Sequence, residues 1–201
     1  MGTELELKYA AADRTVLDRI VARYTGPWQE TAMESCYYDT EDGALRQRRW
    51  TLRRRREGGI SVICVKTPGT AESGVPARGE WEWRGDSVQE ALPHLVAAGA
   101  PAELLAVTEG RTLAVVCGAR FLRRAVRIQL EASELELAAD NGVLCGGGRE
   151  EPLCEVEAEH KSGDPAATAA FASDLARRFG LHPEPESKFR RALSLAEQSR
   201  R

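Results

Sequence analysis

Lysine is nearly missing from this chain. Of 28 basic residues only four are lysine (Lys8, Lys66, Lys161 and Lys188), so arginine supplies almost every generic positive charge. Each lysine therefore marks a place where a compact ammonium serves better than a planar guanidinium fork, as against a phosphate oxygen or a metal-bound water. Histidine is equally scarce. His94, His160 and His182 are scattered, which argues against an imidazole-rich zinc centre. The five cysteines (Cys36, Cys64, Cys117, Cys145, Cys154) are an odd number without a C-x-x-C spacing. Neither a disulfide framework nor a zinc site is suggested, and a reducing cytoplasm is the expected location. No apolar run approaches a signal h-region or a membrane span, so a soluble chain with no membrane partner is expected. A strong bias of charge is lacking too: 28 basic against 31 acidic side chains, interleaved, argue against a general nucleic-acid binder.

What is present is alternation. The 201 residues, 42% hydrophobic, suffice for a real core and are expected to form one domain over residues 1–201. Read at the two-residue period of a strand, Glu4, Glu6 and Lys8 share one face, with Leu5, Leu7 and Tyr9 on the other. Carboxylates spaced i, i+2 lie roughly 7 Å apart and repel by about 2 to 3 kcal/mol at an effective dielectric near 20. In open water that cost is screened and the stretch is an ordinary half-exposed strand. Inside a walled cavity it calls for a cation, and Lys8 would suit an anion bound to that cation. The pattern recurs. Glu155, Glu157 and Glu159 repeat the opening stretch, Glu80 and Glu82 alternate with Trp81 and Trp83, and Glu134, Glu136 and Asp140 oppose Leu135 and Leu137.

The most basic run, from Arg46 to Arg56, reads alone as a solvated face or a nucleic-acid patch. Its continuation through Glu57-Gly58-Gly59 into Ile60–Val65 makes it one arm of a hairpin, with Arg53 and Arg55 on one face and Arg54 and Arg56 on the other. Arg123, Arg127 and Gln129 similarly oppose Arg124, Val126, Ile128 and Leu130. Asp140-Asn141-Gly142 signals a further hairpin turn. Residues 70–77 read as a flexible loop. Helices are expected after Asp13, after the capping box Ser87…Glu90, over about 101–106, and after Asp164-Pro165 as far as Gly180. Trp81 and Trp83 read first as indoles against a helix and second as base-stacking platforms.

A sheet turning its polar face to water could carry such alternation, although those faces usually mix in Ser and Thr. A closed antiparallel barrel is the other solution, with apolar faces outward under helices and charged faces lining a lumen. Acidic and basic rows in one lumen bind an anion together with divalent cations, and ligands that are oxygen only favour Mg²⁺ or Mn²⁺. That combination describes polyphosphate with its metal.

The motifs in order are Glu4-x-Glu6-x-Lys8, Tyr37-Tyr-Asp-Thr40, Leu52-Arg-x-Arg55, Val65-Lys-Thr67, Arg78-x-Glu-x-Glu82, Arg123, Glu155-x-Glu-x-Glu159 and Ser187-Lys-Phe-x-Arg191. Together they resemble the CYTH superfamily of triphosphate tunnel metalloenzymes. Three of the four lysines fall on these motifs. The family often has tryptophan three residues after the mid-chain arginine, where this chain has Val126. The resemblance implies an α+β, mainly antiparallel fold: a closed eight-stranded tunnel with a charged lumen and helices outside. It also implies metal-dependent cleavage of a triphosphate, inorganic triphosphate first, with thiamine or nucleoside triphosphate as variants. Lys8, Arg53, Arg55, Lys66, Arg123 and Lys188 would hold the triphosphate. Glu4, Glu6, Glu155 and Glu157 would ligate metal, with Glu80, Glu82, Glu136 and Asp140 as further candidates, and Glu4, Glu6, Lys8 and Glu157 would be the catalytic set. An adenylate cyclase of the same superfamily and a non-catalytic polyphosphate sensor are the rivals. A monomer or homodimer acting on a small-molecule triphosphate, with no nucleic-acid partner, is expected.

Overall fold

The computed structural model describes residues 5–68 and 79–199. Glu4, the expected loop at 70–77 and Arg78 lie outside them. In chain order the elements are β1 (Glu6–Ala10), α1 (Arg14–Arg23), β2 (Gln29–Thr40), α2 (Ala44–Gln47), β3 (Thr51–Glu57), β4 (Ile60–Thr67), β5 (Gly79–Arg84), α3 (Val88–Ala97), α4 (Glu103–Thr108), β6 (Leu113–Leu130), β7 (Ser133–Gly146), β8 (Arg149–Ser162), α5 (Pro165–Phe179), β9 (His182–Pro183) and α6 (Lys188–Gln198). No helix among the described residues is long and apolar enough to cross a membrane.

The strands form one series in the order β5-β4-β3-β2-β6-β7-β8-β1-β9. The ladders β1–β8, β1–β9, β2–β3, β3–β4 and β4–β5 are antiparallel. The expected mainly antiparallel fold with helices is present, but among the described residues the sheet is not closed into the expected eight-stranded barrel: nine strands run in an open order, and its end members β5 and β9 are not paired with each other. The reason lies partly in β9, which is two residues long and contains Pro183, a residue with no N–H to continue a ladder.

The chain divides into two compact units. The first comprises Met1–Ala32, Phe121–Val143 and Glu151–Ser187; the second comprises Met33–Arg120, Leu144–Glu150 and Lys188–Arg201.

In the first unit, one face of β6, β7 and β8 supplies Val126, Leu135, Leu137, Ala139 and Val156 to a core closed by Leu17 and Ile20 of α1 and Leu175 of α5. Asp13 caps α1 by accepting from the Val16 N–H at 3.1 Å, and Asp164 caps α5 by accepting from the Ala166 N–H at 2.9 Å, with Pro165 at the first helical position. Each fully buried leucine contributes about 2 kcal/mol of transfer free energy, so Leu137→Ala is expected to cost about 3 kcal/mol once its cavity is included. Val126 is 4% exposed and its Cγ2 sits 2.8 Å from where a Cβ on Gly26 would lie. Glycine at 26 therefore makes the room that Val126 takes, and the register follows: Val126 faces the core and Arg123 the opposite side.

In the second unit, Leu52, Ile63 and Val65 of β3 and β4 pack under Ala91, Leu92 and Leu95 of α3 and Leu104 of α4. Ser87 caps α3, its Oγ accepting from the Glu90 N–H at 3.3 Å. Trp81 and Trp83 pack against the same core, and the Trp83 indole stacks on the His94 ring of α3 with centroids 4.9 Å apart and planes 3° from parallel.

Two local expectations fail. The basic run is not extended throughout, because Arg46 lies in α2 and β3 begins only at Thr51. Buried Asp39 is the cause: its carboxylate accepts from the N–H groups of Thr40 and Leu45 at 2.8 and 2.9 Å and of Arg46 at 3.3 Å, which winds the chain into a turn of helix. Asp140-Asn141-Gly142 makes no hairpin either; β7 runs through it, and the turn comes at Gly147 and Gly148, with φ of 59° and 75°. Tertiary partners override the local signal. Asp140 is fully buried against Arg123, and Asn141 Nδ2 donates to Cys154 Sγ at 3.4 Å on β8.

Candidate active site

The first unit concentrates carboxylates. Asp140 on β7 and Glu155 on β8 are 0% exposed, Glu157 is 8% exposed, and one oxygen of each lies within 4.8 Å of the others. At that spacing and a dielectric near 20, each pair of like charges repels by about 3.5 kcal/mol, so the group is stable only with cations close by. Arg123 of β6 is one. It donates to Asp140 through Nε at 2.8 Å and Nη2 at 2.7 Å, and Nη2 also contacts Glu157. Burial alone would weaken the Arg123 charge, but the hydrogen bonds and charges of Asp140 and Glu157 outweigh it and raise its pKa above the usual arginine value. Period-two alternation explains the placement: Leu135, Leu137, Ala139 and Val156 take the core face, leaving Asp140, Glu155 and Glu157 on the other.

Lys8 of β1 is the ladder partner of Glu157, and its Nζ donates to the Glu186 carbonyl at 3.1 Å. Glu6 opens β1 in an exposed position opposite Glu159, which itself pairs with Lys161. Glu136 stands apart from the cluster, held by Arg127 Nε at 3.2 Å, and Arg127 also bridges Glu134 at 2.9 Å.

The second unit concentrates cations. Across β2, β3, β4 and β5 the register aligns Tyr37, Arg53, Cys64 and Glu82 in one transverse row, and Thr51, Lys66 and Glu80 in the row beside it. Lys66 Nζ is 2.8 Å from Glu80 Oε2, and Cys64 Sγ donates to Glu80 Oε1 at 3.1 Å. Burial would raise the Glu80 pKa, yet the Lys66 ammonium and the Cys64 thiol outweigh it and hold the carboxyl below the ordinary glutamate value. Burial pushes the Cys64 thiol up to about 12, so it stays protonated. Arg53, Arg54 and Arg55 each keep a buried Nε–H without a hydrogen-bond partner; Arg55 Nε lies 3.3 Å from Glu57 Oε2 but out of line for one. A buried donor left unmade costs about 1 to 3 kcal/mol, which a bound anion would recover. Lys188 begins α6; burial raises the phenol pKa of Tyr37, opposed in part by the charges of Arg53 and Lys188.

Asp140, offered by the sequence only as a further metal candidate, is a fully buried member of the carboxylate cluster with Glu155 and Glu157. Tyr37 and Cys64 were missed as site residues. Their signal is register, since each is the direct ladder partner of Arg53.

The donor set of Asp140, Glu155 and Glu157 fits a hard divalent cation: it is oxygen only, mutually close and held on adjacent strands. Cys64, Glu80 and Glu82 also cluster, but the high thiol pKa and the Lys66 contact make that group a poorer fit.

The chain is 26% identical over 198 residues to a Haemophilus influenzae protein named inorganic triphosphatase, covering 97% of this chain and 55% of that one. It spans little more than half the length of that relative. Among solved structures, a candidate adenylyl cyclase from Hippeastrum, described as revealing a dominant triphosphatase activity, superposes with a TM-score of 0.62 at 19% identity over 95% of both chains. A candidate adenylate cyclase from Vibrio parahaemolyticus superposes with a TM-score of 0.54 at 19% identity, covering 96% of this chain and 98% of that one. At such identities the likeness establishes the fold. A family model, the CYTH domain, matches residues 2–193, so nearly the whole sequence is accounted for by one family. With that match over nearly its whole length, this chain belongs to the CYTH domain family.

Proposed function

We propose that this chain is a divalent-metal-dependent hydrolase that removes the terminal phosphate of a triphosphate, with inorganic triphosphate as its first substrate. The observation that carries the reading is the strand-held cluster of Asp140, Glu155 and Glu157, because three close buried carboxylates with oxygen-only donors suit Mg²⁺ or Mn²⁺. A cation bound there would neutralise phosphate charge and make a bound water more acidic. Glu6 and Glu4 complete the proposed acidic set.

The remaining roles fall to the cations. Arg53, Arg55, Lys66 and Lys188 are assigned to the phosphate oxygens, supported by the unpartnered Nε–H groups on β3. Lys8 and Arg123 are assigned likewise, and the fork from Arg123 to Asp140 also fixes the orientation of the carboxylates. Water attacks the terminal phosphorus, the bridging P–O bond breaks, and orthophosphate and diphosphate leave. Positioning and charge stabilisation are what the chain's own residues provide, since the reaction needs no covalent intermediate.

The cyclase reading needs a platform for a base, and Trp81 and Trp83 are engaged by the helical core, Trp83 stacked on His94. The test is a substrate panel of inorganic triphosphate, thiamine triphosphate and ATP under Mg²⁺ and Mn²⁺. Orthophosphate release fastest from inorganic triphosphate is expected. Cyclic AMP from ATP would establish the cyclase instead, and binding of all three without turnover would establish a sensor.

A further inference from the structure

Lys66 and Glu80 are ladder partners on β4 and β5, and their side chains pair at 2.8 Å while 35% and 31% exposed. A pair that open to solvent is weak and by itself holds neither side chain in one place. Here one end is anchored. Cys64, two residues before Lys66 and 1% exposed, lies diagonally across from Glu80, and its Sγ donates to Glu80 Oε1 at 3.1 Å while Oε2 meets the Lys66 ammonium. The strand period puts Cys64 and Lys66 on one face, and Arg53, the ladder partner of Cys64, keeps its Nε–H without a hydrogen-bond partner. Core packing fixes the sulfur. The place of the Glu80 carboxylate follows from the sulfur, and the place of the ammonium follows from the carboxylate. An ammonium carries three donors, so the contact with Glu80 leaves some for an anion.

Resting on the triphosphatase reading above, we infer that Cys64 is a positioning residue: its S–H fixes Glu80 as the counter-charge that holds the Lys66 ammonium ready for a phosphate oxygen, and Glu80 serves there as no metal ligand. The thiol itself touches no substrate. Both oxygens of Glu80 are engaged by donors. A divalent cation among Cys64, Glu80 and Glu82 would stand beside the Lys66 ammonium as a like charge, and would have to displace it to reach Oε2.

Cys64→Ala removes the donor and Cys64→Ser keeps one, so comparing them tests the inference. In Cys64→Ala, KM for inorganic triphosphate is expected to rise about fivefold with kcat within about twofold, whereas Cys64→Ser should stay within about twofold of wild type in both. A merely structural role would lower the thermal midpoint of both variants and leave KM alone. Because the thiol acts through Glu80, adding Cys64→Ala to Glu80→Gln should change KM by less than about twofold further. Calorimetric titration with Mn²⁺ should give the same stoichiometry in wild type, Cys64→Ala and Glu80→Gln. An unchanged KM in Cys64→Ala, full additivity in the double variant, or a lower Mn²⁺ stoichiometry in Glu80→Gln would each overturn the inference while leaving the triphosphatase reading intact. A wild-type protein that neither binds nor cleaves inorganic triphosphate would overturn both.

Discussion

Arg123 donates to both carboxylate oxygens of Asp140, from Nε at 2.8 Å and from Nη2 at 2.7 Å, and Asp140 is fully buried. Two parallel bonds fix the guanidinium plane, and a cation held that way cannot be withdrawn without leaving buried charge behind. Asp140→Asn keeps the shape and removes the charge. The variant is expected to lose about 3 kcal/mol of stability, read as a lower urea midpoint at unchanged slope. A midpoint equal to wild type would mean that the fork contributes nothing to the fold.

Metal removal should separate structure from activity. In excess EDTA, triphosphate cleavage is expected to stop, and adding Mg²⁺ or Mn²⁺ in excess should restore it. Glu155→Gln removes one oxygen-anion ligand from the cluster and should weaken Mn²⁺ binding by about tenfold or more in calorimetric titration. Full turnover in the presence of the chelator would refute the metal assignment.

The basic and acidic groups should respond differently to mutation. Arg55→Ala deletes a contact assigned to ground and transition states alike, so KM should rise at least as much as kcat falls. Glu157→Gln deletes one negative charge beside Arg123, and triphosphate should bind as well as before or better, while kcat drops by about 100-fold or more. Steady-state kinetics on inorganic triphosphate distinguish the two, and near-normal kcat in Glu157→Gln would make Glu157 a wall residue.

Glu80 gives a pH signature. Its carboxyl is depressed in the folded state, because Lys66 and Cys64 outweigh the burial that opposes them. The folded value lies below the unfolded one, so the stabilisation is complete above about pH 4.3 and is lost as pH falls through the depressed value. In Lys66→Met burial is less opposed, and the Glu80 carboxyl should titrate higher than in the wild-type protein in a carbon-13 NMR titration. A Glu80 titration unchanged by that substitution would show that Lys66 is not its effective partner.

What the sequence made legible was local or periodic. Asp13, Ser87 and Asp164 cap helices because a cap needs only its own next three residues, and Leu135, Leu137 and Ala139 fall on one face because the strand period is two. Arg53 and Lys66 could be named by type and motif. What stayed hidden was set between strands. That Tyr37 and Cys64 flank Arg53 is a matter of register, which hairpin lengths and tertiary packing decide. Strand number and closure are likewise non-local, and the two-residue β9 with its proline carries almost no pattern. Arg46 left the strand because Asp39, seven residues earlier, gathers its N–H.

The passage of β7 through Asn141-Gly142 bears on how this protein ages. An asparagine before glycine loses its side-chain amide by attack of the following backbone nitrogen, a reaction that needs a compact, turn-like backbone. Extended in β7, with its Nδ2 donating to Cys154, Asn141 is held away from that geometry. The chemistry proceeds only when the strand opens, and each event leaves a new carboxylate beside Asp140. Slow deamidation at one position thus records the lifetime opening of the strand that carries Asp140, and an old preparation would bear that record as a mass increase at Asn141 alone.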